Sequence, residues 1–237
     1  MKKFLFIALI LVFTGGLFAQ TIRDENAEVR VAKGFHSLKV SNAFDVYLTQ
    51  GNEEELAVSA SDKKYISAIK TEVKDGELRI TIDGDVGRWN SGKMKLKAYV
   101  SFKNLDKLHV SGACDIHIMG VLKSDELIVE MSGASDIKGK IEVKKLDAKL
   151  SGASDMKISG SSGDLKLEVN GASDFKGFDF AVDYCYAEAS GASDIQITVN
   201  KELAAKATGA SDIHYRGEGR VRELRANTAS SVRKTGS

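Results

Sequence analysis

One carboxylate recurs along this chain at a near-constant interval. Asp115, Asp136, Asp155, Asp174, Asp194 and Asp212 each close a short motif, Ser-Gly-Ala-Ser-Asp in its commonest form. Carboxylates set side by side serve two chemistries. They can build an oxygen-rich calcium site, or a glycosidase pair, which needs two carboxyl groups about 5 to 10 Å apart. Two unit charges about 5 Å apart cost roughly 1 kcal/mol in water and several times that near a low-dielectric surface. A file of such groups therefore needs an offset. Calcium between successive carboxylates is one answer. The other is a solvated corner in which each Asp accepts from the N–H groups of its own turn. Lys138, Lys157 and Lys176 follow two residues on, hence on the same strand face, and supply counter-charge. Calcium-binding solenoid repeats show paired glycines in their turns. This repeat has one turn and one Gly, which favours the corner over the metal and assigns no cofactor.

The other residue types give weaker leads. Motif position one (Ser111, Ser132, Ser151, Asn170, Ser190, Thr208) forms a second hydroxyl-rich file suited to fixing register. A nucleophilic serine would have to differ from its siblings and have a base beside it, and repetition argues against that. Position two is Gly in all six copies, as expected of a corner with positive φ or no room for a Cβ. His36, His109, His117 and His214 have no zinc-site spacing. Tyr184, Tyr186, Tyr215 and Trp89 are the aromatics available for stacking on sugars.

The elements that must position these residues follow from the repeat. Copies begin at Ser111, Ser132, Ser151, Asn170, Ser190 and Thr208, with worn copies at Ser41 and Asn227 and a fragment at Ser59-Ala-Ser-Asp62. Successive starts from Ser111 lie 18 to 21 residues apart. Apolar residues alternate around each motif: Val110, Met131, Leu150, Val169, Ala189 and Ala207 before it, and Ile116, Ile137, Met156, Phe175, Ile195 and Ile213 after it. Period two marks strands with one face buried. Each repeat thus reads as a strand of about five residues, a Gly-containing corner and a second short strand.

Such a unit cannot bury its face alone, but stacked units can. The expected fold is all-β, a parallel β-helix or related β-solenoid with coils of about 19 residues; an antiparallel β-sandwich is the alternative. Small aliphatic side chains, 7% aromatics and the absence of Pro suit a narrow core whose rungs pair on both sides. Cys114 and Cys185 fall about three rungs apart. At about 4.8 Å per rung this exceeds the roughly 7 Å reach of a disulfide, so two free thiols are expected, Cys185 buried.

Residues 30–105 read as less regular strands of the same body, packed as a second sheet or cap. Asp75-Gly76 is a hairpin turn, and Gly84 to Gly92 a loop. Residues 106–232 carry the regular repeats, and 233–237 a tail that frays. At the other end, Lys2, Lys3, the apolar run Phe4 to Phe13, small residues Thr14 to Gly16 and then Leu17-Phe18-Ala19 form a secretory leader of residues 1–19. A flexible segment, 20–29, follows. Removing the leader takes the net charge from +1 to −1, which gives no electrostatic basis for nucleic-acid binding. The mature chain has no further long apolar run and is expected in the periplasm, at the cell surface or outside the cell.

At the level of whole segments the sequence resembles the bacterial proteins described as putative auto-transporter adhesins with a head GIN domain. The resemblance rests on Gly34-Phe35-His-Ser-Leu38-Lys-Val40, Asp45-Val-Tyr-Leu-Thr-Gln-Gly51, Asp75-Gly-Glu-Leu-Arg-Ile-Thr-Ile82, Leu105-Asp-Lys-Leu-His-Val-Ser-Gly-Ala113 and the motif copies. The chain departs from the family at Asn104, where Pro is usual. The resemblance implies a β-helix-like fold and a secreted or envelope protein, and brings no catalytic residues.

Taken together, the repeat, the leader and the lack of a singular catalytic cluster point to a non-enzymatic envelope or secreted module. Its repeated face would meet an envelope protein or a polysaccharide. The second reading is a polysaccharide-binding or polysaccharide-cleaving β-helix protein, with or without calcium. The third is a structural protein whose end rungs stack. Worn end copies look like caps, so a monomer or small oligomer is expected.

Overall fold

The computed structural model describes residues 11–12, 21–22, 24–83 and 94–236. The predicted leader therefore lies outside the described residues apart from two backbone positions, as does the Gly84 to Gly92 loop with Trp89. β1 (Leu11–Val12) and β2 (Thr21–Ile22) form a separate antiparallel pair. The rest is one large sheet that coils as a parallel β-solenoid of about 7 turns of ~19 residues.

The repeats make its rungs. β11 (Asp115–Met131), β12 (Asp136–Leu150), β13 (Asp155–Val169), β14 (Asp174–Ala189) and β15 (Asp194–Ala207) pair in parallel, each with the next. β15 then pairs with β16 (Asp212–Arg216) and β17 (Arg220–Ala226), and β16 with β18 (Ser231–Lys234). Parallel pairing throughout the repeats excludes the antiparallel sandwich.

Register follows the motif. Asp115, Asp136, Asp155, Asp174, Asp194 and Asp212 stand in one file, as do Ile116, Ile137, Met156, Phe175, Ile195 and Ile213. The second file is fully buried. A one-residue slip would turn every such side chain to solvent, so burial itself fixes the register.

Two expectations change. Each strand runs 14 to 17 residues, from one corner to the next, where the repeat suggested two short strands. A second bend lies inside each coil. In β12 the buried positions are Ile137, Ile141 and Val143 and then Leu146, Ala148 and Leu150, so the inward parity flips between 143 and 146, as it does in β11, β13 and β14; β15 instead turns three successive residues, Asn200 to Glu202, outward. Successive coils share no residue pattern at this bend (Val143-Lys144-Lys145, Ser162-Gly163-Asp164, Val182-Asp183-Tyr184), so no motif announced it.

The first half joins the same body, in part as further rungs. β4 (Ser37–Val40) pairs in parallel with β10 (Lys107–Val110) on one side and β8 (Glu77–Ile82) on the other. β5 (Phe44–Gln50) does the same between β11 and β9 (Leu96–Phe102). Antiparallel partners then close this end. β7 (Ile69–Lys74) folds back on β8 through Asp75-Gly76, as the sequence indicated, and β6 (Glu55–Ala60) lies between β9 and β3 (Glu28–Arg30).

Ser59 therefore belongs to an antiparallel strand and not to a worn repeat, and Asp62 caps the short 3-10 helix Lys63–Ala68. Two supposedly loose segments are tied in. Asp24 accepts from Tyr99 Oη (2.8 Å) and Ser59 Oγ (3.0 Å), and Thr235 N–H donates to the Tyr215 carbonyl (2.8 Å). Cys114 and Cys185 are both free and both buried, where only the second was expected to be. Burial pushes their thiols up to about 11 and about 12.

Candidate functional site

The corner is built by three residues with separate tasks. Gly112, Gly133, Gly152, Gly171, Gly191 and Gly209 all have φ between 77° and 90°. A Cβ at Gly152 would stand 2.4 Å from the Gly133 carbonyl oxygen, and the other repeats show the same approach. Both reasons for Gly, left-handed backbone and crowding, thus apply together. The first rung carries Asn42 here at φ 82°, a residue type that tolerates this region. Next, the Ala N–H donates to the Gly carbonyl one rung below: Ala134 to Gly112, Ala153 to Gly133, Ala172 to Gly152, at 2.7 to 2.8 Å.

The serine at motif position four is a corner-building residue that the motif by itself did not single out. Ser135, Ser154, Ser173, Ser193 and Ser211 are fully buried. The hydroxyls of Ser135, Ser154, Ser193 and Ser211 turn inward to the position-one carbonyl of the same corner, as Ser154 Oγ does to Ser151 O (2.9 Å) and Ser211 Oγ to Thr208 O (2.8 Å), while Ser173 Oγ accepts from the Ser154 N–H (3.1 Å). Several reach a carbonyl one rung below as well, such as Ser193 to Val169 O (3.1 Å). Cys114 takes this place in the first full copy, with Sγ 3.4 Å from Ser111 O, which explains its burial. The period-two pattern was the available signal, because position four is two residues from the buried position six. The side-chain bonds of the turn are thus donations from these serines to carbonyls, a different set from the N–H bonds expected of the Asp. Position one bonds across rungs, as Ser151 Oγ does to Met131 O (3.0 Å) and Ser190 Oγ to Asn170 Oδ1.

Asp45 extends the acidic file below Asp115 and faces Lys97 on the next rung, while Ser231 replaces Asp at the far end. The side chains two residues on form a parallel file: Tyr99, Tyr47, His117, Lys138, Lys157, Lys176, Gln196, His214 and Arg233. Counter-charge is concentrated in its middle. Lys176 Nζ lies 3.0 Å from both Asp155 and Asp174, and Lys138 Nζ is 3.2 Å from Asp136. Its hydrogen bonds to these two carboxylates hold the Lys176 ammonium above its usual range. Toward β9 the lysines give way to stacked rings, Tyr47 on Tyr99 (centroids 5.2 Å) and on His117 (5.1 Å).

The histidines are scattered. His36 meets Asp106 (2.8 Å), His109 meets Glu130 (3.1 Å), and His214 meets Thr235 (3.4 Å). Among the described residues no group of three His, Cys, Asp or Glu converges to hold a metal ion, and none of their helices is long and apolar enough to cross a membrane. Tyr184 and Tyr186 are exposed, whereas Tyr215 packs against the core. What the corner edge offers chemically is a regular row of carboxylates and ammoniums beside hydroxyls already committed to backbone carbonyls.

A parallel β-solenoid built from coils of ~19 residues is the class this architecture defines. The family described as "Putative auto-transporter adhesin, head GIN domain" matches residues 34–219, and the chain belongs to it. Three solved structures are similar. A protein described as a putative adhesin from Bacteroides fragilis is 21% identical, with a TM-score of 0.79 over 88% of this chain and 96% of that one. A putative adhesin from Parabacteroides distasonis is 19% identical, with a TM-score of 0.72 over 88% and 96%. A protein from the same species described as a putative lipid binding protein is 19% identical, with a TM-score of 0.67 over 89% and 97%. At these identities the likeness shows the fold. A search of curated proteins finds no match.

Proposed function

We propose that the protein is a non-catalytic, exported adhesin-like module whose corner edge meets another envelope molecule, a protein or a polysaccharide. The observation that carries this reading is the register of the corner. Six identical Asp and their lysine neighbours stand in two straight files, and no copy is singled out as a catalytic residue would be. In this reading the lysines offset the acidic file without calcium, and the chain acts as a monomer or small oligomer. Affinity is then spread over several rungs.

The test is binding of the fluorescently labelled chain from residue 20 to intact bacterial cells and to immobilised polysaccharides. Asp155→Asn alone changes binding to cells less than about threefold, while the same change at Asp136, Asp155, Asp174 and Asp194 together abolishes binding to cells. A single substitution that removes all binding, or release of reducing sugar ends from any polysaccharide, contradicts the reading. Calcium up to millimolar concentration leaves the melting temperature unchanged; a ligand of the folded form alone would raise it.

A further inference from the structure

On the arm that runs into the corner, the outward positions carry charged or aliphatic residues in most rungs. Along one file these are Glu126, Lys145, Asp164, Tyr184, Glu202 and Arg220, and along the next Ile128, Asp147, Lys166, Tyr186, Ala204 and Glu223. Only β14 places aromatic rings in both files. Tyr184 is 48% exposed and Tyr186 44%, whereas the other large apolar side chains of β11 to β15 are buried or, like Ile128 and Phe178, half-buried. Two residues apart on one strand, they project from the same side with about 7 Å between their attachment points. Ala204, the next residue up from Tyr186, is short and leaves a step beside that ring.

We propose that Tyr184 and Tyr186 form a binding platform for a neutral oligosaccharide, with the step at Ala204 receiving the sugar beside Tyr186. The surrounding charges choose the class of ligand. Lys206 pairs with Glu188 (2.7 Å), Lys166 with Glu168 (2.8 Å) and Lys201 with Asp183 (2.8 Å). Positive and negative groups are thus matched around the rings, and neither a polyanion nor a polycation finds a field of opposite sign. Paired ammoniums and carboxylates still have hydrogen-bonding capacity for hydroxyls. Rings that are apolar on the face and polar at the tip suit the C–H and O–H faces of a sugar. Tyr186 Oη is oriented by its hydrogen bond to Glu188 (3.1 Å), which holds the ring in place before a ligand arrives. Lys201 borders the Tyr184 ring at 5.5 Å. The surface is shallow, so binding is weak and depends on both rings.

This platform is separate from the corner edge, and either can fail without the other. The experiment titrates the chain from residue 20 with cellohexaose and maltohexaose, and in parallel with the acidic hexamer of galacturonic acid and the basic hexamer of chitosan. Calorimetry and saturation-transfer NMR on the tyrosine rings provide the readout. At least one neutral hexamer binds in preference to both charged ones. Tyr184→Ala with Tyr186→Ala weakens it about tenfold or more, and Tyr184→Phe with Tyr186→Phe retains most of the affinity. Both double variants melt with the parent because the rings are exposed. Absence of binding by either neutral hexamer at millimolar concentration overturns the proposal. So does tighter binding of a charged hexamer, unchanged binding in the double Ala variant, or a dimer that the double Ala variant abolishes.

Discussion

The two ends of the solenoid are finished differently. At the first end, antiparallel strands fold over the last rung. β7 covers β8, β3 and β6 cover β9, and Phe35, Phe44, Phe102 and Leu105 fill the core there. At the second end, among the described residues, β17 and β18 have no strand laid over them. β17 has exposed residues along nearly its whole length, and Leu224 is 44% exposed. The regular rungs between them need only repeat themselves, because each one is the template for the next. The first end must terminate a file that would otherwise expose unpaired N–H and C=O groups. Its residues therefore could not keep the repeat.

The largest test of this contrast removes whole pieces. Excising residues 136–154 joins Ser135 to Asp155 and deletes one coil in register. Solenoid stability is close to a sum over neighbours, so the shortened chain still folds cooperatively by circular dichroism and melts somewhat lower. Excising the 69–82 hairpin strips β4 of its outer partner, and that chain is recovered only as aggregate. Equal tolerance of the two deletions would erase the distinction between cap and rung.

A smaller effect separates glycines within the coil. Gly152→Val forces a side chain onto the Gly133 backbone in a left-handed conformation and costs about 3 kcal/mol or more in urea unfolding. Gly120 also has positive φ but meets nothing within 4 Å, so Gly120→Ala costs about 1 to 2 kcal/mol. Similar losses at the two positions would mean that backbone strain, and not rung contact, maintains the file.

Acid acts on the charged arms. Glu168 is held below its ordinary value of 4.5 by hydrogen bonds from Lys149 and Lys166, Glu188 by Lys206, and Glu130 by His109 and Lys107. A carboxylate with a depressed folded pKa contributes its stability above the unfolded value and loses it as pH falls through the folded one. The melting temperature is therefore level from neutral pH down to about 4.5 and declines below it. At the first end Asp24 follows the same sign. Burial alone would raise it, but hydrogen bonds from Tyr99, the Asn26 N–H and Ser59 hold it below 3.8. A melting temperature that rises on acidification through this window contradicts the assignment. The smallest effect belongs to Lys176→Met, which leaves Asp155 and Asp174 without their shared partner. It costs less than about 1 kcal/mol at low salt and less still at high salt.

Much of this was legible in the order of residues. The motif starts fixed which residues share a file, because period-two burial and a constant coil length leave a single register. The Asp75-Gly76 hairpin was equally plain, since only a few residue pairs suit such a turn. Less legible was Ser135 and its siblings. A polar residue at an inward position looks like surface until a buried carbonyl is found for it.

By itself the sequence determined the repeat, the parallel stacking and the identity of each file, because these depend on local spacing that stacking only copies. Tertiary structure alone decided the cap at the first end, where β6 lies between β9 and β3 and where Asp24 meets Tyr99 and Ser59. Those features arise where residues distant in sequence meet, and no interval along the chain encodes such a meeting. The position-four serine lies between the two cases. Its place was set by period, and its partner by the fold.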